Sequence, residues 1–142
     1  MAADDFFLDF FTTAMTANEI LTEVRIPLPP GGVGSAYVKL GHPASGYVVV
    51  SAGALVSQRS GSCVSARITV GGLGSGPIRA VAAEMELQGK NVTPQVIAAA
   101  AAKAIEGVDI EGDDYASADY KRYMASVYAR RAIEAAAERA KD

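Results

Sequence analysis

The chain has 142 residues, half of them hydrophobic, and a formal net charge of −3 with acids and bases mixed along its length. That is the size of one domain with enough apolar content to build a core, which excludes a disordered tail. No basic face is evident, so nucleic acid is not an expected partner; a single cysteine, Cys63, excludes a disulfide framework and a cysteine-rich metal site and fits a reducing, cytoplasmic setting.

The first residues, Met1 to Phe11, are acidic, whereas a secretory signal needs a positive start and a longer apolar run. Phe6, Phe7, Phe10 and Phe11 place large rings close together, an aggregation hazard if they are exposed. They are therefore expected to pack on something, as the tail of a preceding domain would. Ile20 to Ile26 alternates around Thr22, Glu23 and Arg25 and predicts a strand. Pro27, Pro29 and Pro30 with Gly31, Gly32 and Gly34 end it and turn the chain. Ala36 to Leu40 predicts a second strand. Tyr47 to Gln58 predicts a third, apolar on both faces near its start and so central in its sheet. Its apolar part, Tyr47 to Val56, is broken by Ser51 and Gly53 and is far shorter than the roughly 20 residues that span a bilayer. Arg59 to Ser62 reads as a hairpin turn. Cys63 to Leu73 follows as a strand with Val64, Ala66, Ile68 and Val70 on one face and Ser65, Arg67 and Thr69 on the other.

The pattern then becomes helical. Gly71, Gly72, Gly74 and Gly76 lead to Pro77, which suits a first helical turn, and Ile78 to Gln88 reads as a helix stopped by Gly89. Thr93 caps a second helix with Pro94 at its first position, running through an alanine-rich stretch to Ile105 or Glu106 before Gly107. Ser117 caps a third helix ending near Arg139. Tyr120, Met124, Val127 and Arg131 form its expected stripe, widened by Tyr123, Tyr128, Ile133 and Ala136. Strands first and helices second predict an α+β fold: a small antiparallel sheet of three to four strands with about three helices on one face.

The residues alone offer little chemistry. His42 is the only histidine and has no convergent ligands, so it reads as a loop residue. Gly74-Ser75-Gly76 lacks the spacing of a nucleophile elbow. The Gly71–Gly76 loop matches neither phosphate-binding pattern, and Pro77 removes an N–H that a phosphate would want, so it reads as a tight turn. Asp109, Glu111, Asp113 and Asp114 lack the order of a calcium loop; they read as a solvated acidic loop whose charge suits the N-terminus of the third helix. Arg130 and Arg131 suit that helix's other end and serve equally well as docking residues. Read this way, the sequence is an α+β domain without a catalytic centre of its own.

Four stretches, in order, resemble one family. Phe10-Phe11-Thr12-Thr13 and then Asn18 to Pro27 resemble the junction into the C-terminal domain of the FAD-binding medium subunit of molybdenum hydroxylases of carbon monoxide dehydrogenase or xanthine dehydrogenase type. Tyr37-Val38-Lys39-Leu40 with Gly46-Tyr47 resembles the next family segment. Ala66-Arg67-Ile68 through Gly71-Gly72 to Pro77-Ile78-Arg79-Ala80 resembles the third. Asp119-Tyr120-Lys121-Arg122 with Met124 and Arg130-Arg131-Ala132 resembles the closing helix.

The resemblance implies a chain divided into residues 1–17, the tail or linker of a preceding FAD-domain segment, and 18–142, the C-terminal domain. It implies two N-terminal FAD domains that grip the pyrophosphate and have no counterpart in this sequence. It places Lys39, Tyr47 and Met15 beside the flavin: an ammonium that favours the reduced anion, a ring with a hydroxyl, and an apolar contact. The span from Leu40 to Gly46 lacks the basic residues and the aspartate that many relatives carry there. Electrons are implied to pass from a molybdenum large subunit through an iron–sulfur small subunit and FAD to an external acceptor, an oxidoreductase activity that this chain alone lacks. The alternative is a stand-alone module that docks on partners and carries no flavin.

Overall fold

Alternating and helical segments assemble into two layers in the computed structural model, which describes residues 1–9, 11–29 and 31–140. A single turn, α1 (Ala3–Phe6), leads into a two-stranded ladder of β1 (Phe7–Asp9) and β2 (Thr12–Thr13). Further along the chain come β3 (Val33–Gly41), β4 (Val48–Arg59), β5 (Ser62–Gly71) and β6 (Ile78–Arg79). They form an antiparallel sheet in the order β3-β4-β5-β6, with the expected central strand β4 between β3 and β5. Helices α2 (Val81–Leu87), α3 (Pro94–Ala102) and α4 (Ala118–Arg139) follow, α4 lying across β3 and β4 and α2 against β5. This is the expected α+β arrangement.

The caps are where the sequence puts them. Thr93 Oγ1 accepts from Val96 N at 3.3 Å and Ser117 Oγ from Tyr120 N at 3.2 Å, each occupying a donor that a helix N-terminus leaves free. Gly89 and Gly107 take positive φ, 75° and 74°, where the chain leaves its helical turns. The hairpin between β4 and β5 turns on Ser60 and Gly61, both left-handed, as the twist of a tight hairpin requires.

Several expectations are corrected. Ile20 to Ile26 forms no strand, and Ile20, Leu21, Val24 and Ile26 are exposed. Alternation supplies a sheet face, but pairing needs a partner edge. The helix expected from Ile78 starts at Val81, because Ile78 and Arg79 pair with Val70 and Thr69 and satisfy backbone groups at the edge of β5. The second helix stops at Ala102, with turns through Gly107. A bulge in the β4–β5 ladder, where Ser57 faces Ser65 but Gln58 faces Cys63, turns Cys63 inward and Val64 out to solvent. Of the aromatic cluster, Phe6 and Phe7 meet edge to face at 5.1 Å, while Phe7 and Phe11 remain 59% and 90% exposed; Phe10, like Pro30, lies outside the described residues.

The core is built from small residues. Val50, Ala52, Ala54 and Val56 of β4, with Ala66, Ile68 and Val70 of β5, face the helices. The buried stripe of α4 is Lys121, Ala125, Tyr128, Ala129, Ala132, Ile133, Ala136 and Ala137, so of the expected stripe only Tyr128, Ile133 and Ala136 are buried. Tyr120, Tyr123 and Arg131 face solvent, and Met124 and Val127 are half-buried. Size misled the reading: alanines let the helix approach the sheet more closely than tyrosines allow. Gly34, expected in a turn, lies within β3 directly under the end of α4. No described helix is long and apolar enough to cross a membrane.

Candidate functional site

The helices cover one face of the sheet and leave the other open. Strand alternation puts Tyr37 and Lys39 of β3 on that open face. Register brings Lys39 opposite Ser51, and Ser51 opposite Gly71; in the next row Tyr37 faces Gly53 and Gly53 faces Thr69. A Cβ added at Gly53 would meet Thr69 Oγ1 at 2.9 Å and one at Gly71 would meet Ser51 Oγ at 2.8 Å, so the hydroxyls of Thr69 and Ser51 lean over the two glycines in the middle of this face. The result is a floor of glycines and small hydroxyl side chains edged by an aromatic ring and an ammonium. Arg67 and Arg79 add positive charge on the far side, partly neutralised by Glu84 at 3.9 Å and 2.8 Å.

Lys39 and Tyr47 are brought together by the β3–β4 turn. Lys39 is exposed, and its Nζ donates to Gly46 O at 3.3 Å, one long bond that leaves further N–H donors for a ligand. Tyr47, the next residue, is 73% exposed. The turn closes on itself: His42 N donates to Tyr47 O at 2.7 Å, and Gly46 N to His42 O at 2.8 Å, with Gly46 at φ 72°. Beside it lies a cleft of about 260 Å³ lined by His42, Ser45, Tyr47, Val48, Val49, Asp113, Asp114 and Tyr115. Met15 is on the separate N-terminal segment, half-exposed, and lines neither this cleft nor the larger one of about 420 Å³ between β1 and the Gly74–Pro77 loop. The expected trio is thus a pair plus a residue apart.

The acidic loop has a definite structure. Asp113 Oδ1 accepts from Tyr115 N at 2.9 Å and Ala116 N at 2.8 Å, while Oδ2 meets the buried Lys121 ammonium at 2.8 Å. This sets the Tyr115 ring edge-on against His42, with centroids 4.3 Å apart. The Lys121 contact, then the two N–H donors, hold the Asp113 carboxyl at about 2. Because that lies below its ordinary 3.8, the stabilisation is complete above the ordinary value and is lost as pH falls through the folded one. We expect the Tyr115 and His42 ring resonances to move together over that acid range, and Asp113→Asn to abolish the joint movement. Ring resonances that do not shift over that acid range would show that Asp113 does not hold the loop.

Sequence reasoning passed over Tyr37, the Gly53–Gly71 floor, and the links from Lys121 through Asp113 to Tyr115. The alternation Ser35-Tyr37-Lys39 held a signal for the first. Lys121 sits four residues before Ala125 on the buried stripe, a signal for the last. Among the described residues no group of three His, Cys, Asp or Glu side chains is placed to hold a metal. Cys63 is buried, and desolvation pushes its thiol up, the opposite of a reactive thiolate.

Similarity to known proteins runs along almost the whole chain. The family model of the CO dehydrogenase flavoprotein C-terminal domain matches residues 35–136. The carbon monoxide dehydrogenase medium chain of Afipia carboxidovorans is 34% identical over 142 residues, 100% of this chain and 49% of that protein. The 6-hydroxypseudooxynicotine dehydrogenase complex subunit alpha of Paenarthrobacter nicotinovorans is 30% identical over 96% of this chain and 47% of its own length. Among solved structures, quinoline 2-oxidoreductase from Pseudomonas putida 86 superposes with a TM-score of 0.88 at 31% identity, covering 96% of this chain and 47% of that one. Cu,Mo-CO dehydrogenase superposes with a TM-score of 0.87 at 33% identity, covering 98% and 49%. The chain spans about half the length of the curated relatives it matches.

Proposed function

The chain belongs to the CO dehydrogenase flavoprotein C-terminal domain family, and from that premise we propose that it is the C-terminal part of the FAD-binding medium subunit of a molybdenum hydroxylase. In this reading the complex includes an iron–sulfur small subunit and a molybdenum large subunit and works in the cytoplasm. Electrons reach the flavin from the iron–sulfur clusters and leave to an external acceptor. Bound FAD would supply the redox chemistry.

The observation that carries the reading is the open sheet face with Lys39 and Tyr47 at its rim. A planar ring system would lie over the small residues of this face, Gly53 and Gly71 with the Thr69 and Ser51 hydroxyls beside them. Lys39 offers it a positive charge and N–H donors, held by Gly46 O. Tyr47 offers a ring and a hydroxyl. Met15 would reach the same ligand only from the N-terminal segment.

Residues 1–17 we assign to the tail of the flavin-gripping part and 18–142 to the C-terminal domain. The apolar side chains left exposed from Phe7 to Leu28, the last at 93%, are the surface on which that part would rest. The larger share of FAD binding then lies outside this chain.

Lys39→Ala in the assembled flavoprotein tests the proposal. A cation beside a reduced, anionic flavin raises its potential. The variant is therefore expected to lower the flavin potential and slow reoxidation while substrate reduction of the molybdenum centre stays normal. Unchanged flavin behaviour would favour the other reading, a docking module that carries no flavin. A companion titration of the isolated chain with FAD is expected to show no binding despite a folded circular dichroism spectrum. Micromolar binding would overturn the assignment of the grip to other domains.

A further inference from the structure

We propose that His42 is a positioning residue: it locks the turn from which Lys39 and Tyr47 face the flavin, an inference that rests on the function proposed above. His42 makes four bonds within that turn. Its Nδ1 accepts from Ala44 N at 3.2 Å and Ser45 N at 3.3 Å, while its main chain bonds Tyr47 O and Gly46 N at 2.7 Å and 2.8 Å. Accepting two N–H groups needs a free lone pair on Nδ1, so the ring proton sits on Nε2.

Each bond bears on a site residue. Gly46 holds Lys39 through its carbonyl, and its φ of 72° exists because the turn is closed around it. Tyr47 follows directly, with its own N–H on Ser45 Oγ at 3.4 Å. Pro43 stiffens the first step of the turn. The outer side of the ring is braced by Tyr115, whose N–H is held by Asp113, itself paired with Lys121 of α4. A loop histidine with no role would be free to rotate; this one is fixed on both sides, by an acceptor within the turn and an aromatic brace outside it.

The two contacts can be separated in the assembled flavoprotein. His42→Asn keeps a side-chain acceptor near the Nδ1 position and loses the ring. His42→Phe keeps a ring against Tyr115 and loses the acceptor. Lys39→Ala sets the scale. His42→Phe is expected to slow flavin reoxidation about tenfold by misplacing Lys39 and Tyr47, with flavin content and the molybdenum half-reaction unchanged, and His42→Asn to stay within about twofold of the parent. His42→Phe combined with Lys39→Ala should be no slower than Lys39→Ala alone. His42→Gln, which moves the acceptor one bond outward, replaces His42→Phe if that variant does not assemble. Normal reoxidation in His42→Phe with slow reoxidation in Lys39→Ala overturns the role of His42 and leaves the flavin reading standing. An equal loss in His42→Asn and His42→Phe overturns the acceptor role. Normal reoxidation in Lys39→Ala overturns the flavin reading and this inference with it.

Discussion

Gly34→Ala is expected to destabilise the chain by at least about 3 kcal/mol, the upper range for overpacking a close-packed core. A methyl at Gly34 would stand 2.0 Å from Ala136 O, 2.5 Å from Ala140 N and 2.8 Å from Arg139 C. All three are backbone atoms, so no rotamer change relieves the clash, and either β3 or the last turns of α4 must move. That end of the helix is tied to the sheet at two further points, Gln58 Nε2 on Ala137 O at 2.7 Å and Arg139 on Ser35 O. Displacing the helix therefore breaks more than one contact. Thermal unfolding should show a midpoint lower by about 10 °C. Gly74→Ala is the control: nothing lies within 4 Å of the added carbon, and a change of under about 0.5 kcal/mol is expected. Equal midpoints for the two variants would show that α4 is not seated on β3 as described.

Glu84→Ala is expected to cost about 2–3 kcal/mol, because it strips partners from groups that stay in place. Glu84 Oε1 accepts from Ile68 N at 2.9 Å, a backbone donor at the edge of β5 just beyond the two paired residues of β6. The same carboxylate receives Arg79 Nε and Nη2 at 2.9 Å and 2.8 Å. It thus ends the ladder where no further strand continues it. Burial raises the Glu84 carboxyl, but the Arg79 fork, the Ile68 N–H and the charge of Arg67 outweigh it and hold the group below its usual range. A lowered folded value means stability that is present above the unfolded value and lost as pH falls through the folded one. Glu84→Gln should lie between the parent and Glu84→Ala, since its amide oxygen can still accept from Ile68 N. Chemical denaturation at neutral and at acid pH checks both points, with the gap between parent and Glu84→Ala narrowing in acid. A gap that does not narrow would separate Glu84 from the pH dependence.

Local rules were legible wherever local chemistry decides the outcome. Thr93 and Ser117 announced the starts of two helices to within a residue, and the Ser60–Gly61 turn announced the β4–β5 hairpin. Errors arose where the answer depended on another part of the chain. Ile78 and Arg79 are good helical residues, but the exposed edge of β5 recruits them as a strand. Val64 alternates correctly until a bulge between Ser57 and Gln58 shifts the register. On α4 hydrophobic size is a poor guide to burial: its alanines are buried against the sheet while Tyr120 and Tyr123 are exposed, because the glycine and alanines of the facing strands favour small partners. At the site, resemblance named Lys39 and Tyr47, and the β3–β4 turn links them through Gly46, whose carbonyl Lys39 bonds; Met15 lies on another segment. The brace from Lys121 to His42 joins residues far apart in sequence and has no local signature.

The α4–sheet contact has an entropic consequence. Alanine and glycine have no side-chain rotamers to lose, so burying Ala125, Ala129, Ala132 and Ala136 on the side of α4 that packs on β3 and β4 orders almost nothing beyond the backbone at those positions. Each contact also removes little apolar area from water, so adhesion must be gathered over length, and α4 runs for 22 residues. Where these alanines meet the sheet there is no flexible side chain with which to absorb a misfit; the larger buried residues of α4 are Lys121, Tyr128 and Ile133. Shortening the helix should weaken it in small steps, whereas adding one methyl group at the wrong place should part it at once.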